Sequence, residues 1–379
     1  MRFQKLQGFY LIYFLINVVM RKWFVILLLT VAVTLSISFS KETLRAIYSR
    51  PPSEWPKPFI DAGVQWTELG VLPASPVDLQ NDSIKKVVEL GKALFFDTRL
   101  SGSGKISCAT CHKPELNWTD GLEKSLGHEG AVNKRNSPTI QNTWFYKRLF
   151  WDGRSGSLQD QAFAPFNSSS EMHSDMPDVI RKLRRLNGYK ELFRKAFGSE
   201  EISPDNMAEA IATFERTIIS NKTRFDKFLE GDKQSLSKSE LKGLHLFRTK
   251  ARCMNCHNGP IFTDNQFHNN GFHLFANSGS GDILDKGFYM VTHDEKDLGK
   301  FKTPSLRDVM NTGPWMHNGM MKSLEETITH YVKGADGNGG SDKLVQMLYL
   351  TSSEKADLLA FLKAISAPPV EFIKPVMPQ

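Results

Sequence analysis

Cys108-Ala109-Thr110-Cys111-His112 decides how this chain is read, and Cys253-Met254-Asn255-Cys256-His257 repeats it. Two thiols three residues apart, followed at once by an imidazole, form the attachment signal for c-type haem. The thiols add across the haem vinyl groups, and the adjacent histidine becomes an axial iron ligand. The two motifs use all four cysteines of the chain. Structural zinc is the competing reading, because Cys-x-x-Cys pairs also build zinc sites. Zinc ribbons, however, bring their pairs within roughly 15–20 residues of each other. Here well over a hundred residues intervene, and each pair has its own histidine. With both motifs occupied, no cysteine is left for a disulfide.

A helix leads into each motif. Residues 83–95 carry Ile84, Val87, Val88 and Leu94 at helical spacing, and Gly102 and Gly104 then make a tight approach to Cys108. Ser237-Lys238-Ser239-Glu240 is a capping box that opens a helix with Leu241, Leu244 and Phe247 inward, ending just before Cys253. This internal repeat is joined by a helix over 176–187, with Pro177 in its first turn and Gly188 as its stop. Another starts at Ser203-Pro204 and carries Met207, Ile211, Phe214 and Ile218. A second capping box, Ser323-Leu324-Glu325-Glu326, starts a helix with the stripe Leu324, Ile328 and Tyr331, ended by Gly334; a last helix covers 353–365. No segment shows sustained strand alternation, and 258–312 reads as a long functional loop. The expectation is an all-α fold.

A length of 379 residues suggests two or three domains, and 40% hydrophobic with 23% charged residues is ordinary for a globular protein. Residues 1–40 hold Arg2, Lys5, Arg21 and Lys22 and no acid, which accounts for four of the seven net positive charges. The remaining charge is too small to imply a nucleic-acid partner. Residues 23–39 are apolar and follow Arg21-Lys22, the pattern of a signal peptide or a short transmembrane signal anchor. Ser38 and Ser40 are small enough for cleavage after Ser40. A further apolar patch over 9–20, broken by Asn17, raises the alternative of a start at Met20. The positive flank places the body outside the cytoplasm. That means the periplasm, either free after cleavage or tethered by the N-terminal segment, and it agrees with haem attachment. Pro51, Pro52, Pro56, Pro58, Pro73 and Pro76 deny helix to the next stretch. The layout expected is a signal segment 1–40, a proline-rich extension 41–82, a first haem domain 83–222, a second 223–367 and a tail 368–379. The boundary lies at Asn221-Lys222-Thr223-Arg224.

More specific marks lie around the motifs. They are Leu94-Phe95-Phe96-Asp97-Thr98-Arg99-Leu100-Ser101, Arg135-Asn136-Ser137-Pro138-Thr139, Phe150-Trp151-Asp152-Gly153-Arg154, Glu171-Met172, Phe214-Glu215-Arg216-Thr217 and Phe301-Lys302-Thr303-Pro304-Ser305-Leu306-Arg307. Through these, residues 90–362 resemble the bacterial di-haem cytochrome c peroxidases and the related MauG group. The resemblance implies two cytochrome c-like α-domains, each with one covalently attached haem c. The first haem meets hydrogen peroxide; the second takes electrons from a small donor, a cytochrome c or cupredoxin. The family is often dimeric, so a homodimer joins the expectations.

The resemblance also assigns residues. Glu171 matches the family's acid–base glutamate, against the plainer reading of a solvated loop acid, and Gln161 a pocket glutamine, against a helix-surface amide. Cleaving a peroxide O–O bond needs such a proton carrier and such dipoles. His128 matches a removable distal iron ligand, and its flanking Gly127 and Gly130 suit a pliable loop; a surface histidine is the alternative. Trp151 matches the tryptophan between the haems, an electron relay or a core aromatic. Asn136, Thr312 and Pro314 match positions that hold calcium through an amide oxygen and backbone carbonyls.

Where the peroxidases carry a methionine as sixth ligand of the second haem, this chain has Tyr331, as the MauG group does. Tyr331 continues the apolar stripe, while His330 lies about a hundred degrees around the helix; Met320 and Met321 are less well aimed, and core packing is the alternative role. A phenolate stabilises ferric iron and lowers the potential. His173, His245, His268, His273 and His293 read as surface or outer groups, and His317 as structural. Three functions follow: a di-haem cytochrome c peroxidase, favoured by His128; a MauG-like oxidase of a partner's tryptophan or tyrosine, favoured by Tyr331; and a plain di-haem electron carrier, disfavoured by Gln161 and Glu171.

Overall fold

Side-chain caps start most of the long helices of this computed structural model, which describes Met20 and residues 42–272, 285–335, 341–369 and 371–379. The helices are α1 Leu44–Tyr48, α2 Asp82–Phe96, α3 Cys108–Cys111, α4 Leu158–Asn167, α5 Met176–Arg184, α6 Asn187–Phe197, α7 Pro204–Glu215 and α8 Arg224–Leu229. They continue with α9 Lys238–Arg248, α10 Tyr289–Thr292, α11 Leu324–Val332 and α12 Ser352–Ala364. The two expected capping boxes open α9 and α11. Thr223 with Asp226 and Thr351 with Glu354 do the same for α8 and α12. Strand is confined, among the described residues, to β1 Phe267–His268 and β2 Phe301–Lys302, antiparallel, with Phe267 opposite Lys302. The protein is helix-dominated, as expected.

Residues 1–47 and 48–379 are separate units, and α2 to α12 belong to the second. The expected signal or anchor lies outside the described residues except for Met20. Among the described residues no helix is long and apolar enough to cross a membrane, so the transmembrane expectation gains no support there.

Two helix crossings organise the interior. α2 packs on α7 and α6 through Leu90, Leu94, Phe95, Met207, Ile211 and Phe193, all buried. At its centre a Cβ on Gly91 would stand 1.9 Å from the Ala210 carbonyl oxygen, so the two backbones touch. α9 packs on α12 in the same manner, and a Cβ on Gly243 would stand 2.0 Å from the Asp357 carbonyl oxygen. Around this second crossing the buried rings of Phe225, Phe247, Phe262 and Phe361 lie with centroids 5.3–6.2 Å apart. Burying each such ring contributes roughly 1.5–3 kcal/mol.

The sequence reading of Gly188 needs correcting. α5 stops at Arg184, and Gly188 sits inside the first turn of α6 rather than ending a helix. The tail explains it: a Cβ on Gly188 would meet Pro378 and Gln379 at 2.8–2.9 Å, and its N–H donates to the Gln379 carbonyl at 2.7 Å. The same tail stacks Phe372 on Phe96 at 5.3 Å and edges it against Trp118 at 5.1 Å. Arg99 donates to the Pro378 carbonyl at 2.8 Å.

One ion pair is wholly interior. Arg307 donates to both oxygens of Asp226 at 2.9 Å and to the carbonyl oxygens of Pro260 and Gly70. Burial raises the Asp226 carboxyl, but Arg307 and Thr223 more than offset it, and it titrates below the usual carboxylate range. A group depressed in this way stabilises the fold above its unfolded pKa, about 3.9, and loses that contribution as pH falls through its folded value. Urea unfolding from pH 7 down to 3 should therefore show a steep acid limb that Asp226→Asn, less stable at neutral pH, lacks; parallel curves would remove the pair from the acid response. Gly91→Ala should cost about 1–3 kcal/mol despite alanine's better helix propensity, because the methyl group forces α2 off α7. A change within the error of thermal unfolding would show that the crossing can relax.

Candidate active site

Each Cys-x-x-Cys-His motif is a single tight turn. Ser107 and Thr110 cap the first reciprocally, and the His112 and His257 amides close back on the Cys108 and Cys253 carbonyls at 3.0 and 2.8 Å. His112 Nδ1 donates to the Trp118 carbonyl at 3.1 Å, and His257 Nδ1 to the Phe262 carbonyl at 3.0 Å. Trp118 and Phe262 both hold left-handed backbone, φ +61° and +57°, a conformation bulky residues rarely adopt away from functional sites. Fixing the proton on Nδ1 leaves the lone pair on Nε2, the arrangement found at metal-ligating histidines. Burial lowers both imidazole pKa values and keeps the rings neutral. The thiols are buried as well, which pushes Cys111 up to about 11.

Both motifs open onto one cavity of about 1630 Å³, walled by Cys111, His112, Cys253, Cys256 and His257 among others. That exceeds the roughly 300–1,000 Å³ of a pocket for one small ligand. Buried polar atoms are nearly always paired, yet on this wall Gln161 Oε1 and Glu215 Oε2 have no hydrogen-bond partner. Two neutral imidazoles, two thiol pairs and orphaned polar atoms around a large apolar space fit a pair of haems.

Gln161 stands on α4, whose Pro165 cannot donate to the Gln161 carbonyl and so loosens the last turn. Pro165 and Glu171 also line the cavity. Burial pushes the Glu171 carboxyl up, opposed by the Arg154 charge and a Ser168 hydrogen bond. Trp151 reaches the same wall, fixed by Nε1–H to the Asn136 carbonyl at 2.9 Å and by the Lys302 amide on its own carbonyl at 2.8 Å.

His128 is not on that wall. Its ring packs on His173 at 4.6 Å, its Nδ1 has no partner, and its amide donates to the Glu171 carbonyl at 2.8 Å. Gly127 beside it has a packing role. A Cβ there would fall 1.9 Å from the Ser170 carbonyl oxygen, so this glycine serves close contact with the 168–171 segment.

Tyr331 faces the cavity beside Ile328 and Leu324. It counts as half-buried only because of that open space, and burial raises its phenol pKa against an opposing Asn270 hydrogen bond. His330 points elsewhere, as its position on the helix requires: it is buried on Phe272, and its Nε2–H donates to the Asn270 carbonyl at 2.8 Å. Asn270 Nδ2 also donates to Met316 Sδ at 3.3 Å. Asn136, Thr312 and Pro314 share the cavity wall, and Asn136 Nδ2 is engaged by the Leu122 carbonyl, which turns the amide oxygen the other way.

Among the remaining histidines, His245 bonds the Tyr48 hydroxyl and His317 stacks flat on Phe301 at 3.5 Å. His273 lies outside the described residues. His268 is less peripheral than expected, because it is clamped between Asp264 at 2.7 Å and Asp342 at 2.9 Å next to Cys256. Burial opposes its protonation, but the two carboxylates prevail and push its pKa up to about 12. The Cys256, Asp264 and His268 atoms lie within 4.8 Å of one another, yet a protonated imidazole has no lone pair to give a metal.

Sequence reasoning passed over two groups on the wall. Glu215 is fully enclosed and pushed up to about 8 by burial, against the Arg216 charge. Its signal was an acid at i+4 from Ile211 and i+8 from Met207, on the apolar face. Lys302, inside a quoted motif, carried no signal beyond its neighbours.

The sequence profile described as di-haem cytochrome c peroxidase matches residues 85–234. A methylamine utilization protein MauG of Methylophilus methylotrophus is 37% identical over 306 residues, 80% of this chain and 89% of that protein. Cytochrome-c peroxidase IdrP1 of Pseudomonas sp. (strain SCT) is 36% identical over 323 residues, 79% of this chain and 85% of its own length. The crystal structure of a MauG-like protein associated with microbial copper homeostasis superimposes with a TM-score of 0.69 at 30% identity, covering 80% of this chain and 95% of that one.

Proposed function

Since the chain belongs to the di-haem cytochrome c peroxidase and MauG family, a family of peroxidase oxidoreductases, we propose that it is an exported enzyme reducing hydrogen peroxide to water (H2O2 + 2 e− + 2 H+ → 2 H2O) with electrons from a small redox protein. One observation carries this reading: a single cavity has both Cys-x-x-Cys-His motifs on its wall, together with Gln161, Glu171 and Trp151. Cys108, Cys111 and His112 hold one haem c, and Cys253, Cys256 and His257 the other. When bound, the haems supply the iron at which peroxide is reduced and the electrons that reduce it.

The chain's own residues handle protons and geometry. Glu171, made more basic by burial, takes a proton as its carboxylate from one peroxide oxygen and delivers that proton to the other. Gln161 Oε1, buried without a partner, accepts from a peroxide O–H and orients the molecule. Trp151, fixed through its indole and its carbonyl, stands as the electron relay. His128, whose ring rests on His173, would serve as the removable ligand on the His112 side, and its amide bond to the Glu171 carbonyl couples its movement to the acid. Asn136, Thr312 and Pro314 hold calcium through oxygen. We place the enzyme in the periplasm, as a homodimer.

A second reading rests on Tyr331. If its phenolate is the sixth ligand opposite His257, the second haem has a lowered potential, and oxidation of a tryptophan or tyrosine on a partner protein becomes the competing activity. A plain electron carrier has no use for Gln161 and Glu171.

Optical and EPR spectra of the protein, oxidised and half-reduced and then given peroxide, test the proposal: half-reduction should open a high-spin site, and peroxide should be consumed. A half-reduced protein that stays fully low-spin and leaves peroxide intact overturns it. Glu171→Gln should slow peroxide turnover by about 10²–10⁴-fold with both haems attached; wild-type rates would remove Glu171 from the proton path. Tyr331→Phe should alter the low-spin signal of one haem and raise its midpoint potential, and an unchanged spectrum would return the residue to packing.

A further inference from the structure

We propose that Lys302 binds a carboxylate side arm of a haem housed in the cavity. β2 alternates: Phe301 stacks on His317 with the Arg135 guanidinium 5.5 Å from its ring. Lys302 takes the opposite face, with Nζ 3.5 Å from the centroid of the Tyr146 ring. The residue is only 8% exposed and lines the cavity. Its amide is engaged on the Trp151 carbonyl and its strand position opposite Phe267 is fixed, so the side chain cannot reach solvent by a backbone shift.

The other deeply buried cations are compensated, Arg307 by Asp226 and Arg248 by Glu68. For Lys302, among the described residues, desolvation acts alone and brings the amine down to about 7. An aromatic face attracts an ammonium but does not replace the hydrogen bonds that three N–H donors lose on burial. A buried lysine of this kind signals an anion supplied by the occupant of the cavity. Peroxide is neutral near pH 7, whereas each haem brings two carboxylates. Such a pair keeps Lys302 charged and balances one haem carboxylate where water cannot.

The inference rests on the di-haem reading, so the test begins with haem content of the holoprotein. Wild type, Lys302→Met, Lys302→Gln and Lys302→Arg are compared by the resonance Raman propionate-bending band and by spectroelectrochemical midpoints of both haems, at low and high chloride. In Lys302→Met the band of one haem should shift and its midpoint fall, because an uncompensated carboxylate favours the ferric form. Lys302→Arg should restore both, independently of chloride. Lys302→Gln, which keeps a donor without the charge, carries the test if the methionine variant takes up no haem. Attached haems with unmoved band and midpoints sink this inference alone. A midpoint that follows chloride in wild type and not in Lys302→Met assigns Lys302 to a free anion and also overturns it. Wild-type protein without haem removes the di-haem reading and this inference with it.

Discussion

Two places where no methyl group fits hold the molecule together. At Gly91 on Ala210 and at Gly243 on Asp357, helix backbones touch, and everything that positions the histidines hangs from those contacts. Each crossing includes three aromatic rings in mutual contact. They are Phe95, Trp118 and Phe214 at the first, and Phe247, Phe262 and Phe361 at the second. In each trio the ring on the loop, Trp118 or Phe262, has left-handed backbone, and its carbonyl takes the histidine Nδ1 proton. The tautomer that frees Nε2 is thus a consequence of how closely two helices cross.

The repeat stops at the walls. One part of the wall carries Glu215 Oε2 and Gln161 Oε1, both buried without a hydrogen-bond partner, and another a phenol, an asparagine and a thioether. Charge is distributed just as unevenly. The imidazolium of His268 is braced by two carboxylates beside Cys256, while among the described residues the ammonium of Lys302 has only a ring. The two Cys-x-x-Cys-His turns therefore sit in unlike electrostatic surroundings.

Features carried by a few consecutive residues were legible in the sequence: the caps at Ser237 and Ser323, and the helical stripe that separates Tyr331 from His330. What escaped depends on residues distant in the chain. Gly91 and Gly243 look like ordinary helix glycines until Ala210 and Asp357 are brought against them. Gly127 and Gly188 looked like flexibility and punctuation, and both are contact glycines set by Ser170 and by the tail. The burial of Lys302 follows from β2 pairing with β1 across a long loop, which local periodicity does not encode. The contact of the His128 ring with His173 is a further case, since nothing in its own segment announces that neighbour.

The tail ties the end of the chain to the first haem-motif half through ring stacking and main-chain hydrogen bonds. Phe372 completes the aromatic layer of the first crossing by stacking on Phe96, and the Pro378 and Gln379 carbonyls tie down Arg99 and Gly188. The packing around the first motif is thus completed by residues that lie beyond the second motif in the chain, so the two halves share one aromatic layer.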